Sequence, residues 1–358
     1  MRYMFPIIIA VYLLANVYIY VRFLQQLSTQ QLWVKIVGSI LFWCLATAMV
    51  VAMLARNMDI PAPLSRALFN GGAVWMLFVL YMVLALICTD IARTFIPGFK
   101  YGFWVSMVVS AAVMVYGHLN YLHPDVNVYN LKLNKSLESP LKVVAISDIH
   151  LGEGTGLKQL RRYVDLVNAQ NPDVIVIAGD LIDNSLRPLY RDNMDTLLCQ
   201  FKAPFGIYMV PGNHEYISRI GESEKFLKRT SIKLLRDSIV ELPGGLQIVG
   251  RDDRNNRRRA TLEELLQQCN SKKPVLVLDH QPYNLANVDS LGVDMQISGH
   301  THRGQVWPLS LITDYMYEQS YGYRKWNNAH IYVSSGLSLW GPPFRIGTHS
   351  EIAVFTLF

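Results

Sequence analysis

A chain of 358 residues that is 51% hydrophobic and only 17% charged is too apolar for an average soluble domain, in which roughly a quarter of residues are charged. Its net charge of +6 is no nucleic-acid footprint: residues 1–122 hold seven basic and two acidic residues (+5), and the other 26 basic and 25 acidic residues give only +1. The four cysteines, Cys44, Cys88, Cys199 and Cys269, show no CxxC or paired spacing, which argues against a thiolate zinc site and a disulfide framework.

Four apolar runs come first, at residues 3–24, 36–55, 68–89 and 103–121. Each is close to the ~20 residues that a helix needs to cross a hydrocarbon core about 30 Å thick. Trp33, Trp75, Trp104, Tyr3, Tyr20 and Tyr101 lie near several of their ends, as interfacial aromatics do. The first run is long and lacks a clear small-residue cleavage site, so it reads as a retained span and not a signal peptide. An even number of spans places both chain ends on one side. Five basic residues on that side (Arg2, Arg56, Arg66, Lys132, Lys135) against four on the other (Arg22, Lys35, Arg93, Lys100) lean only slightly toward a cytoplasmic domain on an inner membrane. Asn16, His118 and Asn120 are the polar residues of the spans; His118 fits the interface, and the spans read as an anchor without transport machinery.

Residues 123–141 form a polar linker in which Val126–Leu131 alternates like an edge strand. From Lys142 the rhythm becomes strand, loop, helix. Strands are expected at 142–147, 173–178, 206–210, 246–250, 274–278 and 294–297, with short β runs at 331–334 and 351–357. Helices are expected near 157–169, 190–200, 222–229 and 261–268. The pattern predicts an α/β domain with strands enough for two packed sheets. The domains are therefore 1–122, four-helix transmembrane region; 123–141, linker and edge strand; and 142–358, α/β domain.

Five of the apolar runs end on metal-type side chains. Val143-Val144-Ala145-Ile146-Ser147 leads to Asp148-Ile149-His150, and side chains two apart on a strand share a face. Val174–Ala178 ends on Gly179-Asp180, followed by Asp183. Tyr208-Met209-Val210-Pro211 ends on Gly212-Asn213-His214-Glu215. Val275–Leu278 ends on Asp279-His280, and Gln296-Ile297-Ser298 on Gly299-His300-Thr301-His302. In open α/β sheets ligands gather beyond the carboxyl ends of strands. One such ending is an ordinary turn; five, holding five of the nine histidines, point to a metal centre. All donors are N or O, which suits Mn, Zn or Fe.

In this set and order the motifs resemble the calcineurin-like metallophosphoesterases, and the ending (Gly304-Gln305, Val333–Leu337, Arg345) is similar to their membrane-linked bacterial branch. The resemblance covers residues 142–358. It implies an αββα sandwich and two divalent metal ions: Asp148, His150, Asp180 and His302 on one, Asp180, Asn213, His280 and His300 on the other, with Asp180 bridging. It implies hydrolysis of a phosphate ester, diester or pyrophosphate by metal-bound hydroxide, with His214 as the catalytic proton donor. Asp183 then orients a ligand or else caps a helix, and Arg303 reaches substrate phosphate or stays solvated. Arg254, Arg257, Arg258 and Arg259 read as a solvated turn.

Beside the last motif lie two apolar clusters, Val306 to Tyr317 and Trp340 to Phe344, of which half are expected to be ordinary core. Next to a membrane anchor they favour a lipid-linked phosphate substrate, with the bilayer as partner. A phosphodiesterase acting on a soluble nucleotide-type substrate is the alternative within the enzyme class. A non-catalytic metal-binding scaffold stands further behind, since every ligand position is filled.

Overall fold

The computed structural model describes residues 4–56 and 58–358; Arg2 and Tyr3, used above for topology, lie outside them. The chain divides into two compact units, Met1–Leu119 with Gly341–Pro343, and Asn120–Trp340 with Phe344–Phe358.

The first unit is helical: α1 (Met4–Gln26), α2 (Leu32–Ala55), α3 (Ala62–Phe95) and α4 (Gly102–Tyr121, whose last two residues belong to the second unit). Among the described residues these four helices are long and apolar enough to cross a membrane. The third exceeds its expected span. Its 34 residues measure about 51 Å at 1.5 Å per residue, so the helix runs on past the apolar stretch into Asp90 and Arg93. Asp90 is satisfied there by the Tyr18 hydroxyl and the Arg22 guanidinium, each at 2.6 Å. Asn16 is fully buried and accepts from the Trp75 indole at 2.9 Å. Hydrocarbon offers no alternative partner, so such polar pairs hold helices together within the bilayer.

The second unit opens with β1 (Asp125–Leu131), β2 (Leu141–Ile146), α5 (Leu157–Asn168), β3 (Val174–Ile177), α6 (Arg187–Arg191) and α7 (Met194–Leu198). It continues with β4 (Ile207–Met209), α8 (Asn213–Ile217), α9 (Ile220–Leu227), β5 (Ile232–Leu234), β6 (Ser238–Glu241), β7 (Gln247–Gly250) and α10 (Leu262–Leu266). It closes with β8 (Val275–Leu278), α11 (Ala286–Ser290), β9 (Met295–Ser298), α12 (Leu309–Met316), β10 (Gly322–Trp326), β11 (Ala329–Val333) and β12 (Glu351–Leu357).

Two six-stranded sheets result, ordered β1-β12-β2-β3-β4-β5 and β10-β11-β9-β8-β7-β6. Strand alternation explains the layers. In β2, Val143 and Ala145 join the core between the sheets, together with Val176, Leu276, Ile297 and Phe355. Val144 and Ile146 turn to the opposite face and pack with Leu160 and Val164 of α5 and Leu197 of α7. Val249, Val277 and Ile331 of the second sheet face Leu262 and Leu265 of α10 and Val288 of α11. Helix, sheet, sheet, helix is the αββα sandwich.

The helix expected at 190–200 is broken in two by Asn193, whose φ of 50° lies in the left-handed region. β5, β6 and β10 went unforeseen because they are short and polar at alternate or adjacent positions (Lys233; Ser238 and Glu241; Arg324 and Lys325). The edge strand of the linker is β1, paired in parallel with β12. β2, β3 and β4 run parallel, as do β8 and β9, so the carboxyl ends within each run lie on one edge.

Candidate dimetal centre

The carboxyl ends of β2, β3, β4, β8 and β9 deliver all seven sequence-predicted ligands. Asp148 and His150 follow β2, Asp180 follows β3, Asn213 opens α8 after β4, His280 follows β8, and His300 and His302 follow β9. Two groups form. In the first, His150 Nε2 lies 3.1 Å from His302 Nε2, and Asp148 Oδ1 is 3.5 Å from the latter and 3.9 Å from the former. In the second, His280 Nε2 lies 3.2 Å from both Asp180 Oδ2 and Asn213 Oδ1, and His300 offers a nitrogen within 4.8 Å of its neighbours. Asp180 Oδ2 is also 3.7 Å from His150 Nε2 in the first group. It is the side chain between the two.

Backbone strain holds these side chains in place. Asp148, His150, Asp180, His300 and His302 all have φ between 48° and 72°, a region costly for non-glycine residues and concentrated at functional sites. The ligands adopt positive φ themselves, as does Gly179 at 88°, while two other glycines chiefly supply room. A Cβ on Gly212 would overlap Asp180 Oδ1, and one on Gly299 would overlap Asp148 Oδ2.

The donor set fits a cation. The His280 Nδ1 makes a 2.7 Å contact with the Ala178 carbonyl, which an N–H must donate. Its Nε2 therefore aims either a lone pair or a second proton at the oxygens of Asp180 and Asn213. Burial opposes a proton on His280, yet Asp180 raises its pKa well above the ordinary value. A divalent ion held at this nitrogen would take the place of that proton. Burial also opposes charge on Asp180, but the His280 and His214 imidazoles hold its pKa well below the usual range. Burial and the neighbouring His280 push His300 down to about 4, and burial with His150 lowers His302 as well. Both are neutral imidazoles near pH 7, as a ligand must be.

Asp183 does not cap a helix, since α6 starts at Arg187 with Leu186 before it. Its Oδ1 lies 3.7 Å from His150 Nδ1 and 3.2 Å from His214 Nδ1, within ion-pair reach of both rings, while the hydrogen bond at His214 Nδ1 runs to the Asp183 main-chain carbonyl at 3.2 Å. His214 is buried, and its backbone N–H donates to Asp180 Oδ1 at 2.8 Å. Burial works against its charge, but Asp180 and Asp183 bring its pKa up to about 9. Arg303 follows His302 with its guanidinium 4.7 Å above the Tyr321 ring, outside both groups.

The basic turn is not simply solvated. Arg259 is half-buried and donates to the Asp252 carbonyl at 2.9 Å and to Asp279 at 3.2 Å, while Arg251 reaches Asp279 at 2.8 Å. Two cations so pin the residue preceding His280. The apolar clusters divide as expected: Val306 and Phe344 are buried, whereas Leu311, Ile312, Tyr315 and Met316 are exposed.

Two further residues organise the site without having been assigned a role. Glu215 is fully buried and accepts from the backbone N–H groups of Asp180, Ile182 and Gly212 at 3.1, 2.9 and 2.7 Å, joining the β3 and β4 loops. Arg345, also fully buried, donates to the main-chain carbonyls of His302 and Ser335 and so ties the His302 loop in place. The signal for Glu215 was its place after Gly-Asn-His; for Arg345 it was a lone cation in an apolar run.

Residues 141–304 match the calcineurin-like phosphoesterase family. The α/β domain belongs to that family. An uncharacterized metallophosphoesterase of Campylobacter jejuni is 29% identical over 98% of this chain and 97% of its own. One from Helicobacter pylori is 33% identical over 65% of this chain and 64% of its own. A Danio rerio protein named transmembrane protein with metallophosphoesterase domain is 33% identical over 71% of this chain and 62% of its own. This chain thus spans slightly less than two thirds of the length of the latter two. It is a metal-dependent phosphoesterase carrying membrane-length helices, and the matched span contains all seven candidate ligand positions.

Proposed function

We propose that this phosphoesterase uses two divalent ions, Mn, Zn or Fe, to hydrolyse a lipid-linked phosphate ester, diester or pyrophosphate at a membrane. The observation that carries the chemistry is the two adjoining His/Asp groups, Asp148 with His150 and His302, and Asp180 with His280 and His300. When bound, two such ions make water a nucleophile near neutral pH and neutralise charge developing on phosphoryl oxygens.

The chain's own residues supply the rest. Asp148, His150, Asp180 and His302 would hold one ion; Asp180, Asn213, His280 and His300 would hold the other. His214 carries a proton at neutral pH, its Nδ1 fixed by Asp183, and gives the Nε2 proton to the leaving oxygen. Arg303, beside His302, meets phosphate oxygens with its planar fork. The lipid-linked substrate is supported by the four membrane-length helices and by the exposed apolar side chains shortly after His302.

The test is turnover by the full-length protein with Mn or Zn, comparing a soluble aryl phosphodiester with phospholipid-type esters in micelles. Metal-dependent turnover that prefers the lipid and is lost in Asp180→Asn and His214→Ala is expected. Turnover of the aryl ester without preference for lipid overturns the substrate class and leaves the chemistry standing.

A further inference from the structure

Helix α12 (Leu309–Met316) is amphipathic the wrong way round for a water-facing helix. At 3.6 residues per turn, Leu309, Leu311, Ile312, Tyr315 and Met316 share an arc of about 160°, and Ser310, Thr313 and Asp314 occupy the remainder. In a soluble domain the apolar arc faces the core. Here Leu311, Ile312, Tyr315 and Met316 are 59%, 54%, 92% and 56% exposed, while Ser310 on the polar arc is buried.

The helix is fixed to the metal centre at both ends. Before it, Gln305 N–H donates to the His302 carbonyl at 2.9 Å, and Leu309 N–H to Val306 at 2.8 Å. After it, the Tyr317 ring meets the ligand His300 edge-on at 6.2 Å, and Thr301 donates to the Ser320 carbonyl at 2.6 Å. The outward apolar face is thus a fixed part of the rim, not a loose tail.

We infer that α12 is an interfacial helix, lying in the headgroup–acyl boundary of a phospholipid bilayer with its Leu311/Ile312/Tyr315/Met316 face down, so that the metal centre is presented to lipid headgroups. Contiguous exposed apolar patches mark interaction sites. A bilayer is the occupant because the same chain carries four membrane-length helices, and only the residues between α4 (Gly102–Tyr121) and β1 (Asp125–Leu131) separate the last of them from this unit. A tether that short keeps the effective concentration of membrane high, so even eight residues of weak apolar affinity remain engaged. Tyr in the face and Trp307 just before it are residue types that favour the interface. This inference deepens the lipid-substrate reading and rests on it only for its purpose, not for the docking.

The test uses the full chain in phospholipid nanodiscs, with Cys44, Cys88, Cys199 and Cys269 replaced by serine and an environment-sensitive NBD probe on single cysteines. Probes at Ile312→Cys and Tyr315→Cys lie on the apolar arc, Asp314→Cys lies on the polar arc of the same helix, and Lys272→Cys is a remote exposed control. The expected result is blue-shifted emission at 312 and 315, quenched by a lipid carrying doxyl at carbon 5 and protected from iodide, with the reverse at 314 and 272. Equal iodide quenching at all four positions overturns the inference. So does protection at 312 and 315 without doxyl quenching, accompanied by cross-linking between copies, which assigns the face to a second protein chain. Leu311→Glu with Ile312→Glu is expected to abolish doxyl quenching at 315 and to lower lipid-ester relative to aryl-ester turnover about tenfold. Doxyl quenching at 315 in a protein that never prefers lipid esters keeps the docking and discards the lipid substrate.

Discussion

Arg345 donates from Nη1 to the main-chain carbonyl of His302 at 2.9 Å, from a side chain with no solvent exposure. Its Nη2 meets the carbonyls of Ser335, Gly336 and Ser338 at 2.6, 3.1 and 2.9 Å. One planar guanidinium therefore holds a metal-ligand loop against the turns after β11.

Arg345→Lys retains a charge but loses the fork, leaving buried carbonyls unmet. The expected result is a destabilised domain, by about 2 kcal/mol or more, whose affinity for its first metal falls by roughly 10- to 100-fold, the usual effect of losing a group behind a ligand. Denaturant unfolding and metal titration of the purified variant check this. Unchanged metal affinity would remove Arg345 from the site's support.

Gly212→Ala places a methyl group on Asp180 Oδ1. Because Asp180 lies between the two groups, the expected outcome is a folded protein whose bound metal drops from two ions to one or none. Elemental analysis against protein concentration reads it directly. Full occupancy would show that the β4 loop can retreat.

Glu215 is pushed up to about 7 by burial and by the nearby Asp180. A carboxyl raised on folding favours the native state below its unfolded value, near 4.5, and that contribution is lost as pH rises through 7. His214, raised to about 9, acts in the same direction: its contribution is complete below about 6.5 and disappears as pH climbs past 9. Chelated protein is therefore expected to lose stability from these two groups between pH 5 and 9. Glu215→Gln should flatten the lower half of that slope, as read by unfolding free energies at several pH values; an unchanged slope would remove Glu215 as its source.

Asp183→Asn removes the carboxylate shared by His150 and His214. Turnover should fall, with the loss mainly in kcat, and the alkaline limb of the pH profile should move to lower pH as the His214 imidazolium loses its partner. His214→Gln should abolish that limb and lower kcat by about 10²- to 10⁴-fold. An Asp183→Asn profile identical to the parent's would reduce the contact to packing.

The clustering of the seven candidate ligands was legible because each follows an apolar strand, and strand ends are where a parallel sheet collects chemistry. Asp148 and His150 were found by being two apart, His300 and His302 likewise. Glu215 and Arg345 were not assigned because their partners are main-chain groups of distant loops, which leave no pattern in sequence. Of the arginine turn, Arg254, Arg257 and Arg258 are exposed as expected, and Arg259 departs from that reading for a related reason. Arg251 and Arg259 meet Asp279 across 28 and 20 positions, and nothing local distinguishes such cations from solvated ones. The helices of the first unit were clear from hydropathy alone, but the length of α3 depended on Tyr18 and Arg22 receiving Asp90 from another helix.

The position of β12 governs when the enzyme can exist. This strand, Glu351–Leu357, lies inside its sheet between β1 and β2, and β2 leads directly into Asp148 and His150. While a ribosome is still adding residues before 351, β2 lacks one neighbour and the first metal loop has no finished sheet beneath it. Helices α1 to α4, by contrast, are fully synthesised by then. A chain truncated late in its coding region therefore keeps all four membrane-length helices but lacks the strand beside β2 that backs Asp148 and His150.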